Sequence, residues 1–378
     1  MDSFTDTEVG GWEARAERYS GRVRTFITET DPGALAVVAL SMGSLLLAFA
    51  GFLSASPLAA VPFGVFVLST GYGWVRHQAL IARAVTFAMT TVTLVTLGLI
   101  IAFIFVESAA AFRYESVTVF GVSVPGLGMF VQTRWDAVSD PVRYSLVPMI
   151  HGTAMVTAIA TLVAAPLGVA AALFISEIAP PAVREAVKPG IEVLAGIPSI
   201  VYGFIGFTII NPWAGEEFAL NGGSTYLFVG IVVGLMALPT VVSVAEDALT
   251  SVPDSMKDGS LALGATEWQS MTSITLPAAF SGVSAAVLLG VGRAIGETMA
   301  ATVMLAGVQK IPEPITNVFY GYETLTSLIA ANYGNASGTQ ESALFAAGVV
   351  LFVTVLSLSV ASQYIEARMR QRLGGERT

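Results

Sequence analysis

Apolar residues are gathered into eight long runs, separated by shorter polar segments. The runs cover residues 34–53, 57–75, 85–106, 146–175, 190–210, 226–248, 279–308 and 343–365. An α-helix of about 20 residues crosses the ~30 Å hydrocarbon core of a bilayer, and each run approaches or exceeds that length. The runs are continuous and do not alternate, so they favour helices over the strands of a membrane barrel. The pattern predicts an all-α, polytopic membrane helix bundle with about eight transmembrane helices.

Composition supports this class and excludes several functions. Of the 378 residues, 54% are hydrophobic and 12% are charged, against about 25% charged in soluble domains. Cysteine is absent and the two histidines, His77 and His151, are far apart in sequence, so we expect no metal site. The sequence has neither an ATP-binding glycine–lysine loop nor a nucleophile paired with a base. We therefore expect no catalysis and no cofactor, and the acidic loops argue against nucleic-acid binding.

Basic residues are divided unequally between the two sets of loops, which predicts the orientation. With the N-terminus inside, 13 of the 18 Lys and Arg residues fall in inside segments, four fall outside, and Arg293 falls within the membrane. Both termini are then cytoplasmic, in a multi-pass protein of the plasma membrane. The predicted organisation is a cytoplasmic segment 1–32, three transmembrane helices in 33–106, an extracellular loop 107–145, a core 146–365 with a cytoplasmic loop 249–278, and a cytoplasmic tail 366–378.

The net charge of −9 is unusual for a membrane protein. Acidic surfaces keep proteins solvated at high salt, so we interpret the charge as a sign of a halophilic prokaryote. Ordinary acidic drift is the alternative interpretation.

Arg293 is the basic residue that fits neither face of the membrane. It lies inside the run 279–308, where an Arg costs at least about 2.5–3.5 kcal/mol on insertion scales. Glu297 follows four residues later, so a continuous helix would place both side chains on one face. Gly292 and Gly296 have the spacing of a close helix–helix contact. Either Arg293 and Glu297 line a pathway or they form a static ion pair that locks two helices.

The longest cytoplasmic loop, 249–278, predicts a helix–turn–helix. Pro253 and Asp254 begin a helix that runs to Gly264, where glycine suits the left-handed conformation that ends helices. A second helix begins at Glu267 and runs into Pro277.

This loop resembles the coupling loop of binding-protein-dependent ABC importer permeases. The family pattern is Glu-Ala-Ala, three residues, Gly, nine residues, then Ile-x-Leu-Pro. The matching positions here are Asp258, Gly259, Ser260, Gly264, Ile274, Leu276 and Pro277. The spacing and the Leu-Pro ending agree, whereas Asp, Gly and Ser replace the first three residues. In the family this loop docks on the ATP-hydrolysing subunit, and the resemblance implies that role here.

Two further blocks resemble the permeases of Pst-type phosphate importers. They are residues 292–300, Gly-Arg-Ala-Ile-Gly-Glu-Thr-Met-Ala, and residues 191–203, whose Glu-x-Leu-Ala-Gly-Ile-Pro-Ser is closer to the C subunit of the permease pair. The resemblance covers about residues 126–365. It implies a type I ABC importer permease core that imports inorganic phosphate together with a second permease subunit, two ATPase subunits and an extracellular phosphate-binding protein. The family has one helix before its core, whereas three are predicted here.

Three polar residues near Arg293 or near a proline are further candidates for the substrate pathway. Pro198 should kink the run 190–210, and kinked helices can line a path. Ser199 and Tyr202 follow it, although packing between helices is the competing role for both. Thr298 continues the Arg293 run, but a Thr in a membrane helix often bonds its own backbone.

Other functions remain open on the residues alone. The chain could carry another oxyanion such as molybdate or sulfate, act as a secondary transporter or channel, or serve as a membrane scaffold or sensor. The sequence Asn335-Ala336-Ser337 is also a glycosylation sequon on the predicted outer face.

Overall fold

The computed structural model describes residues 31–220 and 223–372, with backbone only for residues 365, 366 and 369–372. Most of the predicted N-terminal segment 1–32 and the end of the predicted tail lie outside these residues. Helices α1 to α16 are, in order, Pro32–Leu53, Ala60–Arg76, Gln78–Tyr114, Leu127–Val131, Val147–Leu173, Pro181–Gly196, Ser199–Ile205, Asn211–Glu217, Tyr226–Thr250, Asp254–Ala262, Glu267–Ser270, Leu276–Ala278, Phe280–Ile295, Met299–Met304, Leu325–Asn332 and Thr339–Arg372.

Short irregular elements join these helices. Two antiparallel hairpins consist of β1 (Val117–Val119) with β2 (Val122–Val124), and of β3 (Trp135–Asp136) with β4 (Arg143–Tyr144). A 3₁₀ turn, Pro57–Ala59, precedes α2. Wider π-helical turns occupy Phe174–Ile178, Gly206–Ile210 and Met271–Thr275.

Among the described residues, six helices are long and apolar enough to cross a membrane, and there are up to eight spans if each of two bent helix pairs is one span. Six of the predicted runs correspond to the six helices. The run 190–210 falls within one bent pair, and the run 279–308 contains Phe280–Ile295, the second half of the other pair, which is bent by 72°. The second run is helical across Pro57–Arg76 despite its prolines. The third extends from Gln78 to Tyr114, well past the predicted boundary at 106, because the apolar pattern ends before the helix does.

The structure corrects two of the predicted spans. The run 190–210 is not one kinked helix. It consists of α6, which begins at Pro181, and a second helical segment from Ser199, bent by 85°. The run 279–308 is also divided: α13 ends at Ile295, and a separate short helix, α14, follows. Both breaks lie inside long apolar runs, so hydropathy does not reveal them, and Pro198 indicated only a kink in the first run.

The chain divides into two compact units, residues 1–101 and 102–378. In the first unit, α1 packs on α2, and Ser41 Oγ donates a hydrogen bond to Ser69 Oγ (2.9 Å) in a buried position. Within the same unit Gly73 allows close packing, because a Cβ there would lie 2.5 Å from the Ile81 side chain.

Helix α9 lies at the centre of the second unit and packs on α5 and α13. Its glycines allow the close approach to α5. A Cβ would lie 2.6 Å from Ile159 at Gly230 and 2.8 Å from Val163 at Gly234. These two glycines provide the small-xxx-small contact. The predicted contact at Gly292 and Gly296 is wrong for the described chain, since nothing lies within 4 Å of a Cβ at Gly292 and only its own helix backbone approaches one at Gly296.

Candidate transport pathway and coupling loop

The cytoplasmic loop has the predicted helix–turn–helix. Helix α10 starts after Pro253 and ends at Ala262, and Gly264 follows with φ +88°, a conformation that glycine adopts without strain. The second helix starts with a capping box, in which Thr266 and Gln269 satisfy each other's backbone N–H groups. It continues through the π turn into α12, which contains Leu276 and Pro277.

Ser260 joins the two arms of this loop. Its Oγ donates to Ser270 Oγ (2.7 Å), across the turn at Gly264. The family pattern has Ala at this position, and Ala could not form this hydrogen bond. The spacing of the loop did not predict it. Gly259 and Asp258 are exposed, and a Cβ at Gly259 would meet nothing within 4 Å. Ile274, Leu276 and Pro277 are half-buried and attach the second arm to the bundle.

The loop presents apolar side chains beside a cavity. Leu263 is 91% exposed and Trp268 66% exposed. A cavity of about 510 Å³ lies between the two arms and the end of α5, lined in part by Glu177, Lys257 and Trp268. Exposed aromatic and aliphatic groups around a concave surface are typical of protein–protein contacts.

Arg293 occupies the last turn of α13. Its Nε donates to the main-chain carbonyl of Met236 in α9 (3.1 Å), and the side chain is otherwise exposed. Among the described residues, the two terminal nitrogens of Arg293 have no hydrogen-bond acceptor, and only Nε is bonded. The planar guanidinium is thus oriented by one contact while its two terminal nitrogens remain able to bind an anion.

Glu297 does not share a helical face with Arg293. It lies in the break between α13 and α14, and its Oε1 accepts a hydrogen bond from the backbone N–H of Ala300 (3.0 Å). The salt bridges among described residues do not include an Arg293–Glu297 pair. The prediction that Arg293 and Glu297 share one helical face is therefore wrong, because the helix ends at Ile295, before Glu297. Thr326 Oγ1 donates to the Glu297 carbonyl (2.7 Å), so α15 also fixes the break.

The other three pathway candidates lie at the same two breaks. Thr298 donates to the Gly296 carbonyl (3.1 Å), which is a bond to its own backbone. Ser199 is half-buried at the start of α7. The Tyr202 hydroxyl donates to the Leu194 carbonyl (3.1 Å). Tyr202 therefore bridges the bent pair α6–α7, which is a packing role.

Both broken segments pack against each other. A Cβ at Gly203 would lie 2.8 Å from Ala300 Cα, so α7 and α14 are in backbone contact there. Asn211, which is 4% exposed, donates from Nδ2 to the Met304 carbonyl (2.8 Å). The blocks 191–203 and 292–300, distant in sequence, thus meet at their breaks. Sequence reasoning missed Asn211, Met236 and Thr326, which contribute through contacts that no local pattern encodes.

An antiparallel bridge joins the two segments that are predicted to lie outside. Arg134 pairs with Lys310 across this bridge, and Trp135 N–H donates to the Gln309 carbonyl (3.2 Å). Arg134 is 71% exposed and lies 3.1 Å from Asp136. Hydrogen bonds from the Ser139 hydroxyl and from the backbone of Ser139 and Val138, helped by Arg134, lower the pKa of Asp136 to about 2. We call the two joined segments, residues 134–136 and 309–310, the outer ribbon. It brings together two of the four basic residues that are predicted to be extracellular.

Glu323 is a buried carboxylate beside this ribbon. It is 5% exposed, and its Oε2 accepts a hydrogen bond from Gln309 Nε2 (3.1 Å). Burial raises the pKa of Glu323, against the opposing effect of the Gln309 hydrogen bond. Nothing in the sequence around Glu323 predicts a buried carboxylate.

Comparison with known proteins identifies the family. The sequence model described as "Binding-protein-dependent transport system inner membrane component" matches residues 164–371, more than half of the chain. The chain belongs to this family. The match includes the coupling loop and both broken segments. It confirms the family resemblance deduced from the motifs and places the protein among multi-pass inner-membrane components.

Relatives of this permease agree with that membership. It is 36% identical over 258 residues to the probable ABC transporter permease protein YqgH of Bacillus subtilis, covering 68% of this chain and 82% of that one. It is 30% identical over 307 residues to the phosphate transport system permease protein PstC of Haemophilus influenzae, covering 76% and 94%. The predicted likeness to Pst-type permeases of the C-subunit kind is confirmed.

A solved structure shows the same fold at low identity. The relevant chain belongs to a bacterial ABC transporter involved in the import of the acidic polysaccharide alginate, with a TM-score of 0.53 and 16% identity, covering 78% of this permease and 99% of that chain. The predicted fold class, an all-α helix bundle with an ABC importer permease core, is confirmed.

Proposed function

We propose that this permease is the transmembrane subunit of an ATP-driven importer of inorganic phosphate. The observation that carries the proposal is the Arg293 guanidinium, which Met236 orients through Nε at the end of a broken helix. A guanidinium held in this way offers its terminal nitrogens as a two-pronged donor, which matches two oxygens of a phosphate. PstC relatives at about 30% identity support phosphate as the substrate.

The pathway residues act together at the two breaks. Broken helices in transporters place polar backbone groups in a pathway where a continuous helix would hide them. Here the breaks next to Ser199 and at Glu297 are in contact through Gly203 and Ala300. We infer that phosphate passes Arg293 beside these breaks, with Tyr202, Glu297 and Thr298 holding the backbone in position.

The energy comes from separate subunits. We infer that the exposed surface around Leu263 and Trp268 docks on an ATPase, and that ATP-driven closure displaces α10 and the second arm of the loop. The loop continues directly into α9 and α13, so its displacement would reorient the helices that carry Met236 and Arg293. The complete importer then contains this chain, a second permease, two ATPase subunits and an extracellular phosphate-binding protein.

The outer ribbon is the face that we assign to the binding protein. Arg134 and Lys310 lie opposite each other at this bridge, and the ion pair of Arg134 with Asp136 is weak because the Arg134 side chain is 71% exposed. Two adjacent cations at the predicted outer surface suit an acidic rim on a soluble protein. This assignment requires the orientation with both termini in the cytoplasm.

The proposal is tested by uptake of labelled phosphate into vesicles that contain the complete transporter. We expect Arg293→Lys to lower uptake by about tenfold or more, because an ammonium group cannot make the two-pronged contact. Arg113→Lys, at an exposed position in the last turn of α3, is the matched control and should leave uptake unchanged.

Competition separates the alternatives. Unlabelled phosphate should displace the label, whereas molybdate or sulfate should not; the reverse result would identify another oxyanion as substrate. Uptake that persists without ATP or without the ATPase subunits would contradict the proposal in favour of a secondary transporter or channel.

A further inference from the structure

Two ion pairs join α5 and α6 to α9 and α10, the helices next to the first arm of the coupling loop. Lys257 in α10 lies 2.8 Å from Glu177 in the π turn that follows α5. Lys188 in α6 lies 2.7 Å from Glu246 in α9. Helices α5 and α6 are consecutive and form a first hairpin, and α9 and α10 form a second. Each ion pair therefore joins the first hairpin to the second.

The Lys257–Glu177 pair is shielded from solvent on both sides, whereas in the second pair only Glu246 is shielded and Lys188 is 44% exposed. The side chains of Lys257 and Glu177 are 19% and 14% exposed, and Glu246 is 8% exposed. Exposed pairs are screened and contribute little, whereas loss of one partner of a shielded pair leaves an uncompensated charge. A third contact lies within the first hairpin, where Arg184 in α6 donates to the Ser176 carbonyl (2.9 Å) beside Glu177.

The π turn explains how Glu177 reaches the loop. The turn Phe174–Ile178 inserts a wider step at the end of α5, closed by Ala179 N–H donating to the Phe174 carbonyl (2.7 Å). Such turns interrupt the regular side-chain spacing of an α-helix and are frequent at functional positions. Glu177 thereby lies on the wall of the cavity beneath the loop, opposite Lys257.

Helix α5 continues from this contact to the outer segment. It has 27 residues and is therefore about 40 Å long. Near its other end, the hydroxyl of Thr153 accepts a hydrogen bond from Leu325 N–H (3.0 Å), and His151 Nε2 donates to the Ile315 carbonyl (2.7 Å). The neighbouring Thr326 holds the carbonyl of Glu297 at the helix break.

We propose that Lys257 and Glu177 are positioning residues that attach the coupling loop to α5. The loop is covalently joined only to α9 and α13; through this ion pair its displacement also moves α5, and with it the outer segment that fixes the Glu297 break. The proposal rests on the proposed function, and it adds a third connection between the ATPase side and the pathway.

The test measures ATP hydrolysis and phosphate uptake in the same vesicles that contain the complete transporter. We expect Lys257→Glu and Glu177→Lys each to lower the number of phosphates imported per ATP by about tenfold, since like charges then face each other. The double variant restores opposite charges and should recover the ratio to within about twofold of the wild type. Glu185→Lys, an exposed reversal in α6, is the matched control and should leave the ratio unchanged.

Two results would overturn the proposal. One is an unchanged ratio in both single variants; the other is a double variant as defective as either single one. If a charge reversal prevents assembly, Lys257→Met and Glu177→Gln, which retain side-chain volume, are measured in its place, with co-purification of the ATPase as the check on assembly. A wild-type complex that hydrolyses ATP without importing phosphate would contradict the proposed function, whereas failure of the positioning role alone leaves import by the wild type intact.

Discussion

Single side chains in this permease act mainly by holding interrupted backbone. Glu297 receives the Ala300 N–H, Tyr202 donates across the break before Ser199, and Asn211 binds the Met304 carbonyl. Each satisfies a backbone group that a break in a helix leaves without its usual partner. Arg293 differs, because its one hydrogen bond to the described residues, at Nε, orients the guanidinium and leaves the terminal nitrogens available to an anion.

Glu323 leads to a prediction about pH. Its pKa is raised by burial above the ordinary value of 4.5, so the folded protein binds more protons than the unfolded chain as pH rises through and above that value. The contribution of Glu323 to stability is therefore greatest in acid, and decreases as pH rises from about 4.5 to the folded pKa. We expect Glu323→Gln to raise the thermal midpoint at about pH 7 and to leave it unchanged at about pH 4.

The measurement is thermal unfolding of the purified protein at several pH values. Glu216→Gln removes an exposed carboxylate and is the control, with no comparable pH-dependent difference expected. A Glu323→Gln protein that is less stable than the wild type at neutral pH would contradict the account.

At the scale of elements, the helix breaks decide which segments meet. Residues 191–203 and 292–300 come into contact at their breaks, through Gly203 and Ala300. Helix α7 can approach α14 because glycine occupies the contact at position 203. Helix α9 approaches α5 in the same way through Gly230 and Gly234. Close packing of this kind replaces the hydrophobic effect, which does not drive helices together in lipid.

The Gly203 contact can be tested directly. A Cβ at Gly203 would lie 2.8 Å from Ala300 Cα and 3.3 Å from the Met299 carbonyl oxygen, and both belong to backbone that has little freedom to move. We expect Gly203→Ala to destabilise the protein by about 1–3 kcal/mol and to lower uptake. Gly190→Ala is the control, because nothing lies within 4 Å of a Cβ there. Equal behaviour of the two variants in thermal unfolding would contradict the assigned contact.

At the scale of the whole molecule, the candidate site residues belong to one of the two compact units. All of the candidate site residues, and the family match over 164–371, fall within residues 102–378. The hairpin of α1 and α2 belongs to the other unit and lies outside the family match. The predicted count of eight spans is even, so we expect both termini on the same side of the membrane.

This topology can be checked because the chain has no cysteine. Glu185→Cys, exposed in α6, should react with a membrane-impermeant thiol reagent only after the cells are opened. Asn335→Cys, exposed between α15 and α16, should react in intact cells. The unsubstituted chain is the blank. Labelling of both positions from the same side, or labelling of Glu185→Cys in intact cells, would contradict the predicted orientation.

The sequence by itself determined the class, the approximate spans and the coupling loop. Long apolar runs leave a chain few alternatives to membrane helices. The helix–turn–helix could be predicted because Pro253 and Gly264 restrict the backbone at the two ends of its first helix. The resemblance to the Pst-type permeases likewise came from two continuous blocks.

Only the tertiary structure decided where the helices break and which residues meet. The run 279–308 is apolar on both sides of Gly296, Glu297 and Thr298, so hydropathy over the length of a span does not separate a broken span from a continuous one. The pairing of Lys257 with Glu177 and the contact of Gly203 with Ala300 join positions about 80 and about 100 residues apart. Such contacts depend on how the helices pack, and packing is set by the complete set of neighbours rather than by any one segment.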